Sequence, residues 1–218
     1  MNDTSGMKKN HRLTLTLLLI GLALAACLLA WLRPAWLGMQ PTVANLDVSP
    51  TTEVLPVQPK GIGDNFTLLQ GKQEVSLHDF LGKVVVIYFG YASCPDVCPT
   101  TLGVISSALK SLSSDELAQI QPIFISVDPA RDNGDNLMAY ARHFHPSFVG
   151  LTGSPEQVKQ VADQYHTYFA NMETKSYLGY LIHHTSKTYV ISKDGKSVTI
   201  LPASMSKPDL VNSLREAL

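Results

Sequence analysis

Cysteine is scarce in this chain: 218 residues contain three. So low a count excludes a disulfide framework as the source of stability. Charge is sparse and balanced as well. Asp, Glu, Lys and Arg make up 16% of the residues and the formal net charge is −1. No basic surplus of the kind that holds nucleic acid is present, and no nucleic-acid partner is expected. The six methionines are scattered, which argues against a methionine-rich metal site. Internal repeats are absent. What remains is a chain with 45% hydrophobic residues, long enough for one domain with a sizeable core plus an appendage.

The appendage lies at the N-terminus. Lys8, Lys9 and Arg12 precede residues 13–32, a run without a single charge. A run of that length spans a bilayer as a helix. The flanking cations place residues 1–12 in the cytoplasm and export the rest. The expected location is the inner membrane, single-pass, with the C-terminal body in the periplasm. Leu24-Ala25-Ala26-Cys27 also resembles a bacterial lipoprotein cleavage site, so a lipid anchor on Cys27 is the alternative. The apolar run continues through Leu28, Leu29, Trp31 and Leu32, which favours the uncleaved span. Residues 33–60 carry Pro34, Pro41, Pro50, Pro56 and Pro59 and read as a semi-extended linker. The folded domain is expected over residues 61–218.

Within that domain the chain is organised around residues 84–102. Val84 to Phe89 is a short run of β-formers, as expected of a strand buried on both faces, and it ends in Gly90. A short loop then carries Cys94 and Cys98, each followed by proline. Residues before proline are pushed out of the α region, and proline suits the first helical position. Cys98 is therefore expected as the N-cap of a helix that starts at Pro99. A helix N-terminus stabilises a thiolate, so at least Cys98 is expected to have a lowered pKa. Thiolates serve redox exchange and soft-metal binding alike. A loop-stapling disulfide or a pair of inert thiols is the blander reading.

Around this stretch the pattern alternates. Hairpin strands are expected at 66–68 and 75–77, further strands at 123–127 and 148–151, and a helix over 137–144. Ser154, Pro155 and Gln157 start a helix expected to run to about Phe169. A second hairpin is expected around Asp194-Gly195, and Pro208 opens a last helix. The result is an α/β fold, a mixed sheet with helices on both faces. His143 and His145 read as surface or helix-end groups, and Arg131 and Asp132 as a structural ion pair.

Several blocks together give a specific resemblance. They are Tyr88-Phe89-Gly90-Tyr91 with Cys94-Pro95-Asp96-Val97-Cys98-Pro99, Ser126 to Asp132, Phe148 to Gly153, and Tyr180-Leu181-Ile182-His183-His184-Thr185. In order and spacing the domain resembles the Sco/SenC family of copper-binding, thioredoxin-like proteins. The resemblance implies a metal site of Cys94, Cys98 and His184 that takes Cu(I) or Cu(II). It implies a metallochaperone that assists assembly of the binuclear copper site of cytochrome c oxidase, with the copper-bearing oxidase subunit and the membrane as partners. A departure from the family pattern is His183, where an acidic residue is usual. In extended chain His183 and His184 point to opposite faces, so one of the two reaches the cysteines. A membrane-anchored thiol–disulfide oxidoreductase that reduces oxidase cysteines, or a redox sensor, is the alternative. Either would use a Cys94–Cys98 disulfide, whose formation would also block copper.

Overall fold

Strand β3, Val84–Gly90, is buried along its whole length. Its β-branched and aromatic residues meet apolar neighbours on both faces, as a central strand requires. The computed structural model describes Leu24, Ile62 and residues 64–174, 179–196 and 198–218. The expected cytoplasmic segment, span and linker lie outside the described residues, apart from a helical, exposed Leu24. Among the described residues no helix is long and apolar enough to cross a membrane. The chain divides into two units, Met1–Glu53 and Val54–Leu218, and the second carries the fold.

Its centre is a five-stranded mixed sheet. β3 pairs in parallel with β4 (Ile120–Ser126), and β4 in parallel with β5 (Val149–Leu151). On its other side β3 pairs antiparallel with β8 (Thr188–Ile191), which pairs with β9 (Val198–Leu201). Helix α1 (Val97–Leu109) follows β3, and the short α2 (Ser114–Ala118) leads into β4. Helices α3 (Gly134–Phe144), α4 (Pro155–Gln164) and α5 (Lys207–Ala217) complete the helical set among the described residues. The expected hairpin at the start of the domain is present as β1 (Thr67–Gln70) and β2 (Gln73–Ser76). It is tied to the end of β5 by a bridge between Leu69 and Thr152.

Three expectations change. Leu77 opens a 3-10 turn, Leu77–Phe80, instead of ending a strand, because Ser76 and Asp79 form a capping box there. Helix α4 stops at Gln164 rather than near Phe169, and His166 adopts a left-handed backbone at φ 48°. The chain beyond it forms a separate two-stranded sheet of β6 (Phe169–Glu173) and β7 (Tyr180–His184). No strand had been expected at β6, whose residues are partly or fully exposed and do not alternate.

Candidate metal centre

The β3–α1 loop supplies the two cysteines. α1 begins earlier than the prolines suggest: Asp96 is its N-cap and Val97 its first residue, so Cys98 is already helical. Pro99 falls in the first turn, where its missing N–H leaves no helical bond unmade. Cys94 stays outside the helix, its N–H donating to the Tyr91 carbonyl at 3.2 Å. Cys94 is half-buried and Cys98 fully buried, and both are free thiols.

Strand β7 supplies the histidine. Along it Ile182 and His184 face inward, whereas His183 is exposed with its ring beside Tyr168. Strand periodicity thus separates the adjacent histidines. His184 Nε2 lies 3.3 Å from Cys98 Sγ. Its Nδ1 lies 3.3 Å from the Thr185 carbonyl oxygen. That oxygen can only accept, so the tautomer with its proton on Nδ1 bonds it and turns the Nε2 lone pair toward the sulfurs, the form a metal ligand needs. One ligand atom from each of Cys94, Cys98 and His184 falls within 4.8 Å of the other two. Among the described residues this is the one such group of three. His78, His143, His145 and His166 are not in it. His145 bonds Ser147 through Nδ1 at 2.7 Å, in keeping with the bland reading.

Cys98 does not have the lowered pKa expected from its place at the helix start; Cys94 does. The hydrogen bond from Cys98 holds the Cys94 thiol well below the ordinary thiol range, and His184 adds to this. Cys98 is pushed up by holding that shared proton against Cys94, and by burial. The helix N-terminus does not decide the matter, because Cys98 is fully buried and Cys94 only half-buried.

Close packing shapes the pocket. A β-carbon on Gly90 would stand 2.7 Å from Cys98 Sγ and 3.0 Å from the Phe124 ring. Glycine is therefore what lets this sulfur lie against the end of β3, a role that the sequence reading did not assign to it. The rings of Tyr88 and Tyr91 edge the imidazole, with centroids at 6.3 and 5.9 Å. Each also carries a hydroxyl. Tyr91 Oη accepts the Ile182 N–H at 3.2 Å. Tyr88 Oη is buried without a partner in hydrogen-bonding geometry, and burial first, then the charge of Cys98, raises its pKa. Arg131 pairs with Asp128. Asp132 receives the Ala92 N–H at 2.6 Å and the Ser126 hydroxyl at 2.7 Å, so it ties the cysteine loop to the end of β4.

These donors suit a soft ion. Two sulfurs and one imidazole nitrogen match Cu(I), and the imidazole extends the set to Cu(II). Gly90 leaves the sulfur room, and the unpartnered Tyr88 hydroxyl is available to an ionised Cys98.

Comparison with known proteins agrees with this geometry. The SCO1/SenC family model matches residues 56–218. An SCO2-like protein of Rickettsia conorii is 36% identical over 156 residues, covering 71% of this chain and 76% of its own length. The crystal structure of Arabidopsis thaliana ScoI with copper bound aligns at TM-score 0.66 and 31% identity, over 71% of this chain and 99% of that one. BsSco, described as having a disulfide switch and as a member of the Sco family of cytochrome c oxidase assembly proteins, shares the fold at TM-score 0.55 and 23% identity, over 71% of this chain and 91% of its own. With its thioredoxin-like mixed sheet and its convergent cysteines and histidine, the chain belongs to the SCO1/SenC family.

Proposed function

We propose that the protein binds copper through Cys94, Cys98 and His184 and delivers it to the binuclear copper site of a cytochrome c oxidase. What supports the reading above all is the meeting of these three side chains within 4.8 Å. They come from two elements that share no sheet. Bound copper would be the cargo, and the residues' task is to hold and release it. Cys94 is the more acidic and the less buried of the two thiols, so it is the natural point of entry. Cys98 gives up its proton as it becomes a ligand, and the lone pair of His184 Nε2 completes the set. The test is titration of the reduced, metal-free protein with Cu(I) and Cu(II), following stoichiometry and the sulfur-to-copper absorption bands. One copper per chain is expected, lost in Cys94→Ala and Cys98→Ala, with Cu(II) binding weakened and its bands changed in His184→Ala and unaltered in His183→Ala. Cu(II) binding that does not depend on His184 would overturn it.

A second reading is favoured by the accessible, acidic Cys94 beside a buried Cys98. Cys94 as thiolate attacks one sulfur of a partner's disulfide, and the other sulfur leaves and takes up a proton. Cys98 then loses its proton and attacks Cys94 in the mixed disulfide, releasing the partner's second thiol. The partner gains two electrons, and the chain is left with a Cys94–Cys98 disulfide for an external dithiol to reduce. In both readings the domain is placed outside the inner membrane, with residues 13–32 as its anchor or a lipid on Cys27 in their place.

A further inference from the structure

The two halves of the site are not joined by a sheet. The cysteines sit at the end of the central sheet, and His184 sits on β7, in a hairpin that pairs with none of its strands. Three residues link His184 to β8 in the central sheet, but no ladder holds the rest of β7 to that sheet, and side chains do so. Those side chains converge on the loop after β4. The Asp128 carboxylate accepts from the Arg131 guanidinium through one oxygen and from the Tyr180 hydroxyl, at 2.7 Å, through the other. Arg131 Nη1 donates to the Tyr180 carbonyl at 3.0 Å, and Cζ stands 3.7 Å over the centre of the Tyr180 ring. The same Cζ is 5.7 Å from the centre of the ring of Tyr91, in the cysteine loop. Tyr91 in turn receives the Ile182 N–H. Asp128 is 3% exposed. Tyr180 opens β7, and His184 closes it.

We infer that Asp128 and Arg131 form a positioning clamp that sets where β7 presents His184 to the two cysteines. The clamp governs the histidine-dependent part of copper affinity. It rests on the reading of Cys94, Cys98 and His184 as the copper site. Arginine is required because its planar fork can bond a carboxylate and a carbonyl while stacking on an aromatic ring, and lysine cannot. Because two thiolates hold Cu(I) well without help, the clamp matters mainly for Cu(II).

The test uses the full chain, with Cys27→Ala to remove the one thiol outside the site. Cu(I) and Cu(II) affinities and absorption bands are measured for Arg131→Met, Arg131→Lys, Tyr180→Leu and His184→Ala. Arg131→Met and Tyr180→Leu are expected to weaken Cu(II) by about 10- to 100-fold, the range for residues that orient a ligand. The bands shift, and Cu(I) affinity changes little. Arg131→Lys does not restore the bands. Arg131→Met added to His184→Ala causes no further loss of Cu(II), since the histidine it positions is gone. The clamp is overturned if Arg131→Met leaves Cu(II) affinity and bands unchanged. It is overturned equally if both copper states weaken alike, or if the loss persists undiminished in the His184→Ala background. Should Arg131→Met fail to fold, Tyr180→Leu decides by the same criteria. Unchanged Cu(II) binding in His184→Ala alone would instead overturn the ligand assignment, so the two failures are told apart.

Discussion

Gly90 has no room for a side chain. A methyl group there meets Cys98 Sγ at 2.7 Å, the Phe124 ring at 3.0 Å and the Tyr88 ring at 3.2 Å. None of the three can swing into solvent, because all are fully buried. Gly90→Ala is expected to cost about 1–3 kcal/mol of stability, the usual penalty of overpacking, measured by urea denaturation. It should also weaken copper binding, because the sulfur is what must move. The same environment sets thiol reactivity. An ordinary thiol loses about tenfold in reactivity per pH unit below its pKa of about 8.5. The Cys94 pKa is held well below that value by the Cys98 hydrogen bond, so Cys94 stays a thiolate as pH falls. Alkylation of the reduced protein should therefore go to Cys94 first, at a rate nearly flat from pH 8 to 6, with Cys98 unmodified. A Cys94 rate that falls tenfold per unit over that range would refute the ordering. The ligand candidates were legible in sequence because they stand in recognisable blocks. Which thiol is acidic was not, since it depends on burial and a shared proton.

At the scale of elements, β3 and β4 were readable because runs such as Val84-Val85-Val86-Ile87 and Ile123-Phe124-Ile125 have no polar face and must be buried. Helix α4 announced its start: the Ser154 hydroxyl receives the Gln157 N–H, and Gln157 returns a bond to the Ser154 N–H at 2.8 Å. Ser154→Ala should lower stability by about 1 kcal/mol, seen as a shift in denaturation midpoint without a change in slope. β6 gave no such signal. Phe169-Ala170-Asn171-Met172-Glu173 is a strand because β7 pairs with it from Tyr180 to His184, a contact absent from its own pattern. The hairpin is also where copper should act on dynamics. It is held to the domain by the Arg131 clamp, the Tyr91–Ile182 bond and His184 itself. Metal ligation adds a strong tie at one end of β7. Amides of β6 and β7 should exchange more slowly with copper than without, and His184→Ala should abolish the difference. Equal protection with and without copper would mean that the histidine is not drawn in.

At the scale of the whole molecule, the core residues described run from Ile62 to Leu214, all inside the second unit. The sheet, its helices and the candidate site thus form one body with its own core, which is the criterion for independent folding. A fragment of Val54–Leu218 should unfold cooperatively at the same midpoint as that region of the full chain and bind copper with the same affinity. Because folding brings His184 on β7 to the cysteines, Cu(II), which uses the imidazole, binds the native state in preference to the unfolded chain, where only Cys94 and Cys98 lie close. Cu(II) at 100 times its dissociation constant then adds up to about 2.7 kcal/mol. For a domain of this size that is about 5–10 °C in melting temperature, and a chelator should remove it. The gain needs both sulfurs as thiolates. Oxidation to a Cys94–Cys98 disulfide removes them, so the oxidised fragment should show no copper-dependent shift at all, while the reduced fragment shows the full one. If the oxidised form were stabilised equally, copper would be bound somewhere other than the three residues that the fold brings together.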